Sequence, residues 1–70
     1  MLIFETGDYI AHIDSEIALV WRRNSEILVY SIDTSLQIDR IYDPYIEDLD
    51  SVDYLAAEYI ETYYAEARPW

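Results

Sequence analysis

Carboxylates and tyrosines crowd into the second half of this 70-residue chain. Asp39, Asp43, Glu47, Asp48, Asp50, Asp53, Glu58, Glu61 and Glu66 lie there beside Tyr42, Tyr45, Tyr54, Tyr59, Tyr63 and Tyr64, and Arg40 is the only positive charge among them. Three chemistries use such groups. Paired carboxylates do acid–base work when a concave pocket holds them around a substrate. Closely spaced carboxylates supply the oxygen ligands that Ca²⁺ prefers. A dense row of carboxylates with aromatic neighbours grips a cationic partner, by charge and by stacking on guanidinium groups.

The first two fit poorly. A single-core chain of this size rarely builds a deep pocket. The one histidine, His12, lies in a strand-like segment with no nucleophile motif nearby. No enzymatic activity, metal or cofactor is therefore expected. Asp48-Leu49-Asp50-Ser51-Val52-Asp53 carries three carboxylates but lacks the turn glycine of a Ca²⁺ loop. Helix capping and a solvated acidic face explain it better. Arg22-Arg23 is the only basic pair, and direct nucleic-acid binding is not expected of it, because phosphate repels a chain of net charge −11. Arg23 is expected to pair with Glu26.

The third chemistry fits the whole composition. Four arginines, no lysine and fifteen carboxylates set the charge. Self-repulsion on this scale opposes compaction, so the excess does nothing for folding and points to a positively charged partner. A duplex shows one phosphate charge per ~1.7 Å of axis, so fifteen carboxylates match ~25 Å of it. A chain of this length has a radius of gyration of about 11 Å. Helical neighbours four apart rise ~6 Å and alternate strand residues ~6.7 Å, close to the separation of successive phosphates. The candidate contact residues are Asp43, Tyr45, Glu47, Asp48, Asp50, Asp53, Tyr54, Glu58, Glu61 and Tyr64.

In size and composition, the chain resembles phage-encoded anti-defence proteins, the anti-CRISPR and anti-restriction inhibitors that act as DNA mimics. That resemblance implies a partner that is a basic nucleic-acid-binding nuclease or defence complex, met in the host cytoplasm. Two other readings use the same residues or the same fold. One is an antitoxin or immunity protein that neutralises a basic toxin. The other is a small homo-oligomer.

The rest of the composition frames these alternatives. Hydrophobic residues make up 53% of the chain, too many for a disordered acidic tail. There is no cysteine, so a reducing compartment is expected. No apolar run approaches the ~20 residues of a membrane span. Met1-Leu2-Ile3-Phe4-Glu5 lacks the basic start and apolar run of a secretory leader, and an acidic surface is repelled by anionic lipid. A cytoplasmic protein without membrane contact is the expectation.

The elements that position these residues follow from their periodicity. Short runs of Ile, Val, Leu, Tyr and Trp, broken by polar pairs, predict strands near 2–5, 9–13, 17–23, 26–32 and 36–42. Ser35 offers a helix cap as an alternative for 34–42. A two-residue turn at Asn24-Ser25 sets Arg23 opposite Glu26, Trp21 opposite Leu28, Leu19 opposite Tyr30 and Ile17 opposite Ile32. Three-residue loops at 14–16 and 33–35 add Ile13, Ala11 and Tyr9 on one side and Leu36 and Ile38 on the other. The opposite face then carries Ile10, Ala18, Val20, Ile27, Val29 and Ile41, beside Arg22, Gln37 and Asp39. Either the N-terminal strand covers that face or it is a homodimer surface. Residues 43–50 form an acidic linker. Val52, Leu55, Ala56, Tyr59, Ile60, Tyr63 and Ala67 recur at helical spacing, so 51–68 is a helix. Asp50 or Ser51 caps its start, Arg68 meets its C-terminal dipole and Pro69 stops it. Trp70 packs back on the sheet. Asp53, Tyr54, Ala57, Glu58, Glu61 and Tyr64 face outward. The fold class is α+β: one domain, an antiparallel meander of four to five strands with an amphipathic helix on one face.

Overall fold

The computed structural model describes residues 2–67, and the expected roles of Arg68, Pro69 and Trp70 lie outside them. The apolar runs form β1 (Tyr9–Ile13), β2 (Ile17–Trp21), β3 (Glu26–Ser31) and β4 (Gln37–Tyr42), followed by α1 (Leu49–Ala67). The strands make one antiparallel sheet in the order β1-β2-β3-β4, and the helix packs on one face of it. Segment 37–42 is strand, not helix, because Ser35 sits at φ 60° inside the β3–β4 loop and starts nothing.

Ile-Ala-Leu-Val-Trp is apolar at every position, and β2 is accordingly buried along its whole length. Ile17, Leu19 and Trp21 join Ile27, Val29, Val52 and Ala56 in the core beneath the helix. Ala18 and Val20 are equally buried yet stand outside that cluster, so the centre of the sheet is covered on both faces.

The pairing of β2 with β3 differs from expectation by one residue. Trp21 faces Ile27, Leu19 faces Val29 and Ile17 faces Ser31. The connection is not a two-residue turn but the four residues 22–25, with Arg23 in the left-handed region at φ 65°. Side chains fix this loop: Trp21 Nε1–H donates to the Asn24 carbonyl at 2.6 Å, and Asn24 Oδ1 accepts the Glu26 amide at 2.9 Å. A shift of one residue moves every side chain of a strand to the other face. Ile27, Val29 and Ile41 therefore lie on the helix side, not opposite it. Leu36 and Ile38, expected in the core, are 65% and 49% exposed. The Asp14-Ser15-Glu16 loop has the expected length, whereas the next loop runs over five residues, 32–36.

Residues 2–5 form no strand. The Asp8 carboxylate takes the Glu5 amide at 2.9 Å, Gly7 turns the chain at φ 95°, and Arg22 reaches Asp8 at 3.5 Å. These contacts draw the segment to the β2–β3 loop rather than along a sheet edge. Arg23 lies over the Trp21 ring at 5.0 Å, and it is Arg40 on β4 that pairs with Glu26.

The cap of α1 also falls earlier than expected. Asp48 Oδ1 accepts the Ser51 amide at 2.9 Å, so Asp48 is the N-cap, not Asp50 or Ser51. That bond to Ser51 holds the Asp48 carboxyl below its ordinary range. Asp48→Ala should lower Tm by several degrees, while Asp48→Asn, which caps as well, should restore most of the loss. Thermal melts followed by helical circular dichroism check this. The molecule is a slab of 38 × 25 × 15 Å with a radius of gyration of 11.9 Å.

Candidate functional site

Three tyrosine hydroxyls donate to aspartates across the boundary between helix and sheet. Tyr9 on β1 donates to Asp53 on α1 at 2.8 Å. Tyr59 on α1 donates to Asp39 on β4 at 3.0 Å. Tyr64 on α1 donates to Asp14, in the β1–β2 loop, at 2.5 Å. The first and third bonds are geometrically matched. Five strand residues from Tyr9 to Asp14 cover ~17 Å, and eleven helical residues from Asp53 to Tyr64 cover about the same. β1 and α1 can therefore run side by side and close both bonds.

Asp14 is the most heavily engaged carboxylate. Burial works against its charge, but hydrogen bonds from His12, Tyr64 and the amides of Ile17 and Glu16 outweigh this and hold it well below the usual carboxylate range. With Asp14 ionised, His12 Nε2–H is the donor of their 2.6 Å contact. Burial, then the bond to Asp39, pushes Tyr59 up to about 12. The bond to Asp14, then burial, pushes Tyr64 up to about 12. The bond to Asp53 raises Tyr9 as well.

A phenol whose pKa is higher in the folded chain than in the unfolded one stabilises the fold fully below its unfolded value near 10. That contribution is lost as pH rises towards the folded value. Tm should therefore fall steeply between pH 10 and about 12. In Tyr59→Phe/Tyr64→Phe the starting Tm should be lower and the alkaline fall shallower. Scanning melts from pH 8 to 12 measure both.

These bonds sort the candidate contact residues. Tyr64 was expected to face outward but is half-buried against Asp14, and Asp53 is exposed yet spends one oxygen on Tyr9. Asp48 is occupied by the cap. What remains outward on α1 is the stripe Asp50, Tyr54, Ala57, Glu58 and Glu61, all exposed. The loop before the helix folds onto the start of this stripe. Asp43, Tyr45, Asp50 and Tyr54 line one cleft, Tyr54, Glu58 and Glu61 line a second groove, and Tyr54 is a wall of both. The cleft exists because Asp43 Oδ1 accepts the Tyr45 amide at 2.8 Å, which turns the chain after β4. Tyr45 is left 82% and Tyr54 68% exposed. Glu47 is exposed in the same loop.

The cations lie elsewhere. Arg22 pairs with Asp8 and Arg40 with Glu26, and among the described residues no arginine reaches Asp43, Glu47, Asp50, Glu58 or Glu61. Also among the described residues, no three His, Asp or Glu side chains gather as a metal site, and no helix is long and apolar enough to cross a membrane. The tyrosine–aspartate bonds were not foreseen from the sequence. Their partners are 44, 20 and 50 residues apart, so no local spacing announces them. No family model, no curated protein and no solved structure matches the chain.

Proposed function

We propose that this protein is a small acidic inhibitor that occupies a basic, nucleic-acid-binding surface of a target protein, in the manner of a DNA mimic. One observation carries the reading. Asp50, Glu58 and Glu61 form an exposed band with Tyr45 and Tyr54, half-buried Asp43 lies at its end, and no cation of the described residues answers it. From Asp50 to Glu61 the band covers ~16 Å of helix axis and carries three carboxylates, on a length that shows about nine phosphate charges in a duplex. The tyrosine rings supply stacking faces for arginine at its centre. Binding rather than catalysis is the role the site suits: its clefts are open, and His12 is held by Asp14.

Affinity capture from lysate at low and high salt, read by mass spectrometry, tests this. A nucleic-acid-binding protein held at low salt and released at high salt is the expected result, because such contacts are screened. Capture of no strongly basic protein at low salt would overturn the reading, and capture of a basic toxin would favour the neutralising alternative.

A second reading, self-association, draws on the sheet face away from the helix. There Ile13 and Tyr42 are 53% and 63% exposed. Light scattering at low micromolar concentration would show a doubled mass.

A further inference from the structure

β1 is an edge strand, and its outer side has no neighbour among the described residues. Unpaired amides and carbonyls along such an edge are a template for another strand. The Asp14 amide turns inward to the Ile17 carbonyl at 3.0 Å, so by alternation that of Ile13 turns outward. Beside this edge, β1 and α1 enclose a groove of about 570 Å³. Its walls are Tyr9, Ala11 and His12 on the strand side and Ala56, Ala57 and Ile60 on the helix side, with the Asp53 and Glu61 carboxylates along the helix. The Tyr9–Asp53 bond ties its strand and helix walls together.

We propose that this groove receives an extended, basic segment of the partner protein, which adds to β1 as a fifth strand. Alternate side chains of an added strand point to one face, here towards α1. Asp53 and Glu61 are eight residues apart on the helix, ~12 Å. Strand residues i and i+4 are ~13 Å apart on one face. Arginine or lysine at i and i+4 therefore meets both carboxylates, and a small or apolar residue at i+2 lies over Ala57 and Ile60. Asp53 keeps one oxygen for this, since only Oδ1 accepts from Tyr9. A second copy of this chain is the wrong occupant. Its β1 reads Tyr-Ile-Ala-His-Ile, with no arginine or lysine to meet the carboxylates, and it brings a further net charge of −11. The bulge at Ala11 bends the edge and shortens the regular stretch, so charge carries much of the affinity. This inference rests on the proposal of a basic partner and adds the conformation in which a part of that partner is held.

Two peptides of one composition test it: capped Thr-Arg-Thr-Val-Thr-Arg-Thr, and its isomer Thr-Arg-Thr-Val-Arg-Thr-Thr, whose arginines point to opposite faces. Each is titrated at low salt onto the ¹⁵N-labelled full chain. The first peptide should shift the amides of β1 and of 53–61, and slow hydrogen exchange at Ile13. It should bind about fivefold tighter than the isomer, the weight of one exposed ion pair. Equal affinities, with shifts spread over the 43–54 cleft, overturn the added strand while leaving the basic-partner reading intact. No binding of either peptide also overturns it, and the fate of the basic-partner reading is then decided by the capture experiment.

Discussion

Ile27→Ala should unfold most of this protein at room temperature, whereas Leu28→Ala should leave it folded. Ile27 is fully buried under the helix and Leu28 is half-buried on the other face. Truncating a buried isoleucine costs ~2–5 kcal/mol, through lost transfer free energy and the cavity left behind. A core in a chain this short supplies only ~3–5 kcal/mol of net stability. The two quantities are comparable, so the variant loses most or all of its margin. For a domain of this size each kcal/mol moves Tm by roughly 4–8 °C. A fall of some tens of degrees is expected for Ile27→Ala, and Ile27→Val, at ~0.5–1.5 kcal/mol, keeps the effect measurable if alanine abolishes folding. Urea melts of the three variants test the β2–β3 register itself. With Trp21 opposite Leu28 the ranking would reverse.

Reversing Asp50, Glu58 and Glu61 together to lysine should abolish salt-sensitive capture of the partner while preserving the fold. Three reversals of two units each change the formal charge from −11 to −5. None of these carboxylates accepts a hydrogen bond or ion pair among the described residues, so the helix loses only the favourable place of Asp50 in its first turn. Lower self-repulsion should keep Tm level or raise it. Steered association gains on the order of 10–10³ in rate from such a field, and most of that gain should disappear. Unchanged capture by a folded triple variant would make the band a solvated surface and nothing more. Asp48 and Asp53 are left out of the set on purpose. Reversing Asp48 removes the helix cap, and reversing Asp53 breaks the bond to Tyr9, so either change would confuse weaker binding with weaker folding.

The contrast between Asp48 and Asp50 shows how far sequence reading reaches. Both are acidic and adjacent to the helix start, and the sequence pattern places the cap at Asp50 or Ser51. The choice depends on where the first turn begins, and that is set by the burial of Val52 and Ala56 in the core with Leu19 and Val29 rather than by the residues around the cap. Tyr59 and Tyr64 make the same point. Helical spacing turned Tyr59 to the core and Tyr64 outward, and the first holds. Tyr64 lies at the edge of the stripe, where a long side chain with a polar tip follows its hydrogen-bond partner, and Asp14 is near only because β1 runs beside α1.

Composition and the kind of elements this molecule forms are legible in the chain alone. The surplus of carboxylate, the tyrosines among them, the α+β class, the helix and the strands from residue 9 onward are all carried by local pattern. A period of 3.6 or of 2 needs only near neighbours to appear. Tertiary structure alone decided which side of each strand is inside and which carboxylates are free. Both faces of β2 are apolar, so alternation could not choose between two registers, and a four-residue loop at Arg22–Ser25 chose instead. Asp14, Asp39 and Asp53 look no different in sequence from Asp43 or Asp50. They became part of the fold because packing brought tyrosines from distant segments to them.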